Sequence, residues 1–171
     1  GPDEHGLFFD DGLALGSCRL SIIDLAQGQQ PMCDSTGRFW ITYNGEIYNY
    51  KEIRTDLEAR GVWLQTSSDT EVALKSWLFW GEESFTRFNG AYAFAIYDRL
   101  AGALTLVRDR YGKRPLYYYH RDDRIYFTSE IKGLLPCDRV SLELDRDALA
   151  DHDLSVLEVV GFVRCECPGR S

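Results

Sequence analysis

The feature that most constrains this chain is a change of hydrophobic period along its length. Residues 39–43 form a β-branched and aromatic run that predicts a strand. A helical period follows, and a period of two then returns, so that residues 91–97 and 103–107 predict a hairpin with a turn at residues 98–102. Strands, then helices, then strands, without strict alternation, predict an α+β fold with mainly antiparallel sheets.

The two helices in the middle carry start and stop signals. Asn49 is a candidate N-cap, and the spacing of Ile53 and Leu57 predicts an amphipathic helix over residues 50–60. A capping-box pattern at residues 68–71 predicts a second helix that ends before Gly81. We expect a short strand between them, at residues 62–66.

The remaining segments have weaker patterns. Residues 12–23 predict a strand that runs into an irregular segment, and residues 28–37 predict a loop. A second hairpin is expected from residues 116–120 and 124–128, with Ser129 capping a short helix through Leu134. Past residue 136 we expect one helical turn at residues 145–150 and a tail at residues 165–171.

Bulk properties limit the classes of partner. A length of 171 residues with 44% hydrophobic content fits one compact domain. The net charge of -8 disfavours a nucleic-acid partner, which usually selects a basic face. Because no apolar run approaches the length of a membrane span and no signal peptide begins the chain, we expect a cytoplasmic protein without a membrane partner.

The five cysteines are an odd number in a chain without an export signal, which predicts free thiols. Cys165 and Cys167 have a spacing that suits a soft metal, but no second Cys or His pair stands nearby. We therefore predict no metal site. Cys18 and Cys33 are interpreted as small buried hydrophobic residues, with a nucleophilic role as the alternative.

Four types of polar residue could carry chemistry. Asn44-Gly45 is a turn signal, yet a helix follows it, and an amide beside a bare backbone N–H can form an oxyanion hole. Arg19, Glu46 and Asp69 are each ambiguous, since Arg19 could be an ordinary exposed residue and Asp69 could only stabilise a helix N-terminus. Together they complement free glutamine: a guanidinium for its carboxylate, carboxylates for its ammonium and donors for an oxyanion.

Other chemistries are not indicated. His5, His120 and His152 have no neighbours that resemble a nucleophile motif, and no Gly-x-Ser-x-Gly occurs, which disfavours triad hydrolysis. No phosphate-binding Gly-rich loop or nucleotide fingerprint is present. No cofactor is therefore expected in this chain.

A dense series of motifs carries a family resemblance. In chain order they are Gly1-Pro2-Asp3, Arg19-Leu20-Ser21-Ile22-Ile23-Asp24, Gln30-Pro31-Met32, Asn44-Gly45-Glu46-Ile47-Tyr48-Asn49, Ser68-Asp69-Thr70-Glu71-Val72, Asn89-Gly90-Ala91-Tyr92, Arg108-Asp109-Arg110-Tyr111-Gly112, Pro115-Leu116-Tyr117-Tyr118 and Ser129-Glu130-Ile131-Lys132. From residue 1 to about residue 135, the chain resembles the class II glutamine amidotransferase domain of asparagine synthetases.

The resemblance implies the N-terminal nucleophile hydrolase fold, a four-layered αββα sandwich. In such domains an N-terminal Cys attacks the glutamine carboxamide, with its own α-amino group as base, and the ammonia passes to a synthetase domain. By position, Arg19 is implied to hold the glutamine carboxylate, and Glu46 and Asp69 its ammonium. The Asn44 side chain and the Gly45 N–H are implied to hold the oxyanion.

The chain also departs from the family pattern. It begins inside the Arg-Gly-Pro-Asp segment, so the first strand and the nucleophile are expected to be missing, and Ser17 and Cys18 stand where the family often has His and Arg. Residues 136–171 are expected to be a linker or tail without the synthetase domain, for which ATP and Mg would be needed.

These departures leave three hypotheses open. The first is a glutamine-hydrolysing domain that supplies ammonia for amide formation but is inactive in this chain. The second is a degenerate amidotransferase module with a structural or ligand-sensing role. The third gives the nucleophilic role to Cys18 or Cys33, although no His is placed by sequence to serve as base.

Overall fold

A computed structural model describes residues 4–19, 29–121, 124–135, 157–158 and 162–166. In these residues ten strands form three sheets, and every strand pairing is antiparallel. The strands are β1 Glu4–Asp10, β2 Leu13–Arg19, β3 Met32–Cys33, β4 Phe39–Ile47, β5 Gly90–Asp98, β6 Ala103–Arg108, β7 Tyr117–Arg121, β8 Arg124–Thr128, β9 Leu157–Glu158 and β10 Phe162–Glu166.

Helices connect the first strands to the later ones. They are α1 Tyr50–Ala59, α2 Asp69–Trp80 and the short α3 Ser84–Arg87, with 3₁₀ turns at Gly81–Glu83 and Ile131–Leu134. The central sheet has the order β10-β6-β5-β4-β3, while β1 and β2 form a hairpin and β8-β7-β9 form a third sheet. The predicted α+β fold with antiparallel sheets is confirmed.

The central sheet buries both of its faces. One face packs Ile41, Phe94 and Val107 against the helices, in a core that includes Ile53 and Leu57 of α1. The opposite face packs alternate residues of the same strands against β1, β2, β7 and β8; these are Ala93, Ala95, Tyr97, Leu104 and Leu106. The described residues therefore stack as one helical layer on two layers of sheet.

The start of α2 is fixed by two side chains. The Ser68 hydroxyl accepts a hydrogen bond from the Glu71 N–H at 3.2 Å, which confirms the predicted cap. The Glu71 carboxylate, however, reaches the preceding loop, where it accepts from the N–H groups of Gln65 at 2.8 Å and Thr66 at 2.5 Å. Residues 62–66 are this loop, so the predicted strand there is wrong.

Strand β4 continues through the predicted turn. The sequence predicted that the strand would stop at Asn44-Gly45, but β4 remains paired with β5 as far as Ile47. Gly45 has φ of 138°, and a Cβ there would lie 2.1 Å from the Ala91 carbonyl oxygen. Glycine is needed here because the two strands approach closely, not because the chain reverses.

Several other expectations are corrected. The Asn49 side chain does not cap α1; it donates to the Arg87 carbonyl at 3.0 Å and accepts from the Asn89 N–H at 2.9 Å. Ser129 caps no helix, since the 3₁₀ turn starts after Glu130. Strand β1 was not predicted at all.

The hairpins and both main helices lie where they were predicted, within two residues at either end. Strand β3 lies inside the predicted loop. Strands β9 and β10 lie in the region assigned to a linker or tail, and they pair with β7 and β6. The helical turn expected at residues 145–150 lies outside the described residues.

Among the described residues, no helix has the length and apolar character that crossing a bilayer requires.

Candidate functional site

A cleft of about 990 Å³ opens beside the end of β4. Its walls come from β2, from β4, from the start of α2 and from the segment between Arg114 and Glu130. The four predicted site residues Asn44, Gly45, Glu46 and Asp69 all line it. Arg19 ends β2, and the position of its side chain lies outside what the structure describes.

The edge of β4 that faces the cleft presents backbone donors. In an antiparallel ladder, every second residue pair exchanges backbone hydrogen bonds. The Arg99 N–H donates to Arg38 O and the Tyr48 N–H donates to Asn89 O, so the even-numbered residues of β4 bond to β5. By this alternation the N–H groups of residues 43, 45 and 47 point away from β5. Strand β3 pairs only with Trp40 and Ile41, so this edge extends past its last partner strand.

Two of these three N–H groups are satisfied by side chains. The Tyr43 N–H donates to Gln30 Oε1 at 2.7 Å, and the Ile47 N–H donates to Asp69 Oδ2 at 3.1 Å. Between them the Gly45 N–H is left without a strand partner in the described sheet. Within the described residues, this edge of β4 therefore has one unpaired backbone donor between two paired ones.

Asp69 has one occupied and one available oxygen. As the first residue of α2, it accepts at Oδ2 from the Tyr43 hydroxyl at 2.8 Å as well as from the Ile47 N–H. No donor to its Oδ1 is found among the described residues. The carboxylate is thus held in one orientation with an acceptor left over.

The Tyr43 hydroxyl is a donor in this arrangement. Tyr43 is 8% exposed. Its burial raises the pKa of the phenol far above the ordinary value, and the negative charge of Asp69 adds to this effect. The charge of Glu46 raises this pKa in the same direction. The raised pKa favours the neutral phenol, which is the form that can donate to Asp69.

The other predicted polar side chains are exposed to the cleft. Asn44 and Glu46 are both solvent-exposed, and their side chains have no hydrogen-bond partner in the part of the chain that the structure describes. In the same part, no group of three or more His, Cys, Asp or Glu side chains has a geometry that could hold a metal ion. The arrangement offers two carboxylates, one amide and one N–H to a small polar ligand.

Sequence reasoning missed Tyr43 and Gln30, which orient the site from within β4 and ahead of β3. Their partners lie 26 and 13 residues away, so no local motif indicated them. An aromatic residue directly before Asn44 was the one available signal.

The structure also changes the interpretation of Cys18. His5 Nδ1 lies 3.3 Å from Cys18 Sγ, because the two residues are paired across β1 and β2. The sequence had indicated no His that could serve as base for this thiol, and the pairing of the hairpin supplies one. The alternation of the hairpin places Cys18 on the opposite face from buried Leu15. Both Cys18 and Cys33 are exposed, which corrects the interpretation of these thiols as buried.

Two solved structures share the fold of this chain. The glutamine phosphoribosylpyrophosphate amidotransferase of B. subtilis, complexed with ADP and GMP, superposes with a TM-score of 0.59 at 26% identity over 71% of this chain and 28% of that chain. A structure described as the allosteric regulatory enzyme of purine biosynthesis gives a TM-score of 0.61 at 25% identity, with the same coverage. The N-terminal nucleophile hydrolase fold is thereby confirmed.

The sequence profile of the glutamine amidotransferase domain matches residues 1–159. The chain belongs to this family, and within it to the class II domains of asparagine synthetases. Asparagine synthetase [glutamine-hydrolyzing] 1 of Bacillus subtilis is 41% identical over 152 residues, which are 89% of this chain and 24% of that protein. Asparagine synthetase B of Escherichia coli is 37% identical over 144 residues, 84% of this chain and 26% of that protein. The chain thus spans about a quarter of the length of these relatives.

Proposed function

We propose that the cleft binds L-glutamine, and that the intact protein hydrolyses it to supply ammonia for amide formation. The observation that carries the proposal is a set of polar groups that line one cleft and have no hydrogen-bond partner among the described residues: Asp69 Oδ1, the Glu46 carboxylate, the Asn44 amide and the Gly45 N–H. Polar groups of opposite hydrogen-bonding type that converge in one cleft favour a small polar ligand, because such sites are recognised by a few placed donors and acceptors.

Each group has a counterpart on glutamine. Asp69 Oδ1 and Glu46 supply negative charge for the α-ammonium, and Arg19 is assigned to the α-carboxylate. The side-chain N–H of Asn44 and the backbone N–H of Gly45 adjoin each other and are assigned to the oxygen of the γ-carboxamide. A ligand with a zwitterionic head and an amide tail matches all of them.

The two N–H donors would act most strongly in the transition state. Attack on the carboxamide converts its oxygen to an oxyanion, and removal of one donor from such a site typically slows the reaction by about 10²–10³-fold. The nucleophile implied by the resemblance is an N-terminal cysteine, which these 171 residues do not include. The synthetase partner, with its ATP and Mg, is assigned to the rest of the intact protein.

Calorimetric titration of the 171-residue chain with L-glutamine tests the binding proposal. We expect saturable binding that is weakened in Asn44→Ala and Glu46→Gln. Glu82→Gln is the matched control, since Glu82 is exposed in the 3₁₀ turn after α2 and is not among the cleft residues. A complete absence of binding by the unmodified chain would refute the proposal.

Hydrolysis is tested separately, on the gene product with its native N-terminus. We expect ammonia release from glutamine that disappears when a terminal cysteine is replaced by alanine. Glutamine binding without ammonia release would support the second hypothesis, a non-catalytic ligand-sensing module.

A further inference from the structure

We propose that Tyr43 is a positioning residue that sets how the site recognises the α-ammonium group of its ligand. Tyr43 lines the cleft, and its effect on the ligand is argued to pass through Asp69. The inference rests on the proposed function, because it concerns recognition of an amino acid in the same cleft.

The geometry gives Tyr43 control over one oxygen of Asp69. A carboxylate on a helix N-terminus can rotate about its side-chain bonds, and the Tyr43 hydroxyl at 2.8 Å and the Ile47 N–H at 3.1 Å both bind the same oxygen, Oδ2. The two donors hold Oδ2 in place, and Oδ1 of this cleft-lining residue has no donor among the described residues.

Tyr43 is itself held on two sides. Its ring packs against Phe94 in the core between the sheet and the helices, and its backbone N–H donates to Gln30 Oε1 at 2.7 Å. Because it is buried and neutral, its hydroxyl cannot exchange a bond to Asp69 for one to water without a cost. The side chain is therefore a rigid support for the carboxylate.

The loss of this hydroxyl should affect only ligands that carry the ammonium. In Tyr43→Phe the ring remains, but Asp69 keeps only the Ile47 N–H and becomes free to turn. We expect the Kd for L-glutamine to rise about tenfold, the order of effect of a hydrogen bond to a charged group. Glutaramate, which is glutamine without its α-amino group, should bind Tyr43→Phe and the unmodified chain equally.

Two variants complete the experiment. Tyr92→Phe is the matched control, since Tyr92 is a second buried tyrosine of the same core, on the neighbouring strand, and does not line the cleft. In an Asp69→Ala background, Tyr43→Phe should have no further effect on glutamine binding, because the carboxylate through which it acts is absent.

The outcomes separate the two proposals. If the unmodified chain does not bind glutamine, the proposed function fails. If it binds and Tyr43→Phe has the same Kd, or weakens glutamine and glutaramate alike, the positioning role is overturned. If Tyr43→Phe does not fold, the Cζ resonance of Tyr43 in the unmodified chain decides: it should shift with glutamine and not with glutaramate, and equal shifts would overturn the inference.

Discussion

Two aspartates of this domain, Asp109 and Asp69, show how one side chain can stabilise a fold or serve a site. Asp109 is 3% exposed and accepts four backbone hydrogen bonds. The N–H groups of Tyr111 and Lys113 donate to Oδ1, and those of Tyr92 and Arg114 donate to Oδ2, at 3.0 to 3.2 Å. Among the described residues, Asp69 accepts only two hydrogen bonds, from the Tyr43 hydroxyl and the Ile47 N–H, and both are at Oδ2.

The difference lies in what remains after the protein has satisfied each carboxylate. Asp109 has no acceptor to spare: it ties β5 to the loop after β6, which carries Arg114 to the far wall of the cleft. Asp69 is held as firmly at Oδ2 but retains Oδ1. The buried Asp109 carboxylate therefore acts as a structural clamp, whereas the half-buried Asp69 carboxylate has one oxygen that a ligand can use.

Loss of the Asp109 carboxylate should have the largest effect. In Asp109→Asn the amide NH₂ must face backbone N–H donors, so at least one pair of hydrogen bonds is replaced by repulsion. We expect the free energy of unfolding to fall by about 3 kcal/mol, the cost of leaving buried donors unsatisfied. Urea denaturation measures it, and a loss below about 1 kcal/mol would show that the clamp matters little.

Asp69→Asn should change the affinity for glutamine much more than the stability of the fold. The amide oxygen can still accept from Tyr43 and Ile47, so the unfolding free energy should change by less than about 1 kcal/mol. The Kd for glutamine should rise roughly thirtyfold, about 2 kcal/mol, through loss of a charge partner. Calorimetry measures the Kd and urea denaturation measures the free energy of unfolding, on the same preparation. A large loss of stability with unchanged binding would mean that Asp69, like Asp109, has a structural role.

Acid should weaken the clamp. Burial alone would raise the pKa of the Asp109 carboxyl, but its backbone hydrogen bonds outweigh burial and hold the pKa below its ordinary value of 3.8. A carboxyl with a depressed folded-state pKa contributes stability above its unfolded pKa, and loses it as the pH falls through the folded value. The stability difference between the unmodified chain and Asp109→Asn should therefore shrink below about pH 4; a constant difference from pH 6 to pH 3 would contradict this.

Glu46→Gln should give the smallest effect. Glu46 is exposed, and exposed charge pairs contribute little, so we expect the Kd for glutamine to rise only about three- to fivefold. Titration at low and high salt checks the cause, since the difference from the unmodified chain should diminish as salt is added. An effect larger than that of Asp69→Asn would mean that the assignment of the principal ammonium partner is wrong.

The sequence was sufficient for the elements with strong local signals. The helices, both hairpins and the Ser68 cap depend on period and neighbouring residues, and Asn44, Glu46 and Asp69 meet in one cleft as the glutamine complementarity suggested.

Features that depend on distant partners could not be predicted from the sequence. Asn44-Gly45 has the local pattern of a turn, and only the close approach of β5 explains why the strand continues through it. The loop at residues 62–66 has strand-like residues but is held by Glu71. The roles of Tyr43 and Gln30 likewise require knowledge of which strand edge is left unpaired.

The most direct test of this account is a crystal structure of the chain with L-glutamine bound. We predict that the ammonium nitrogen lies within about 2.7–3.2 Å of Asp69 Oδ1, with Oδ2 still bonded to Tyr43 and the N–H of Ile47. An ammonium group placed away from Asp69, or a protein donor on Oδ1, would contradict the claim that this half-satisfied carboxylate is the ligand's anchor.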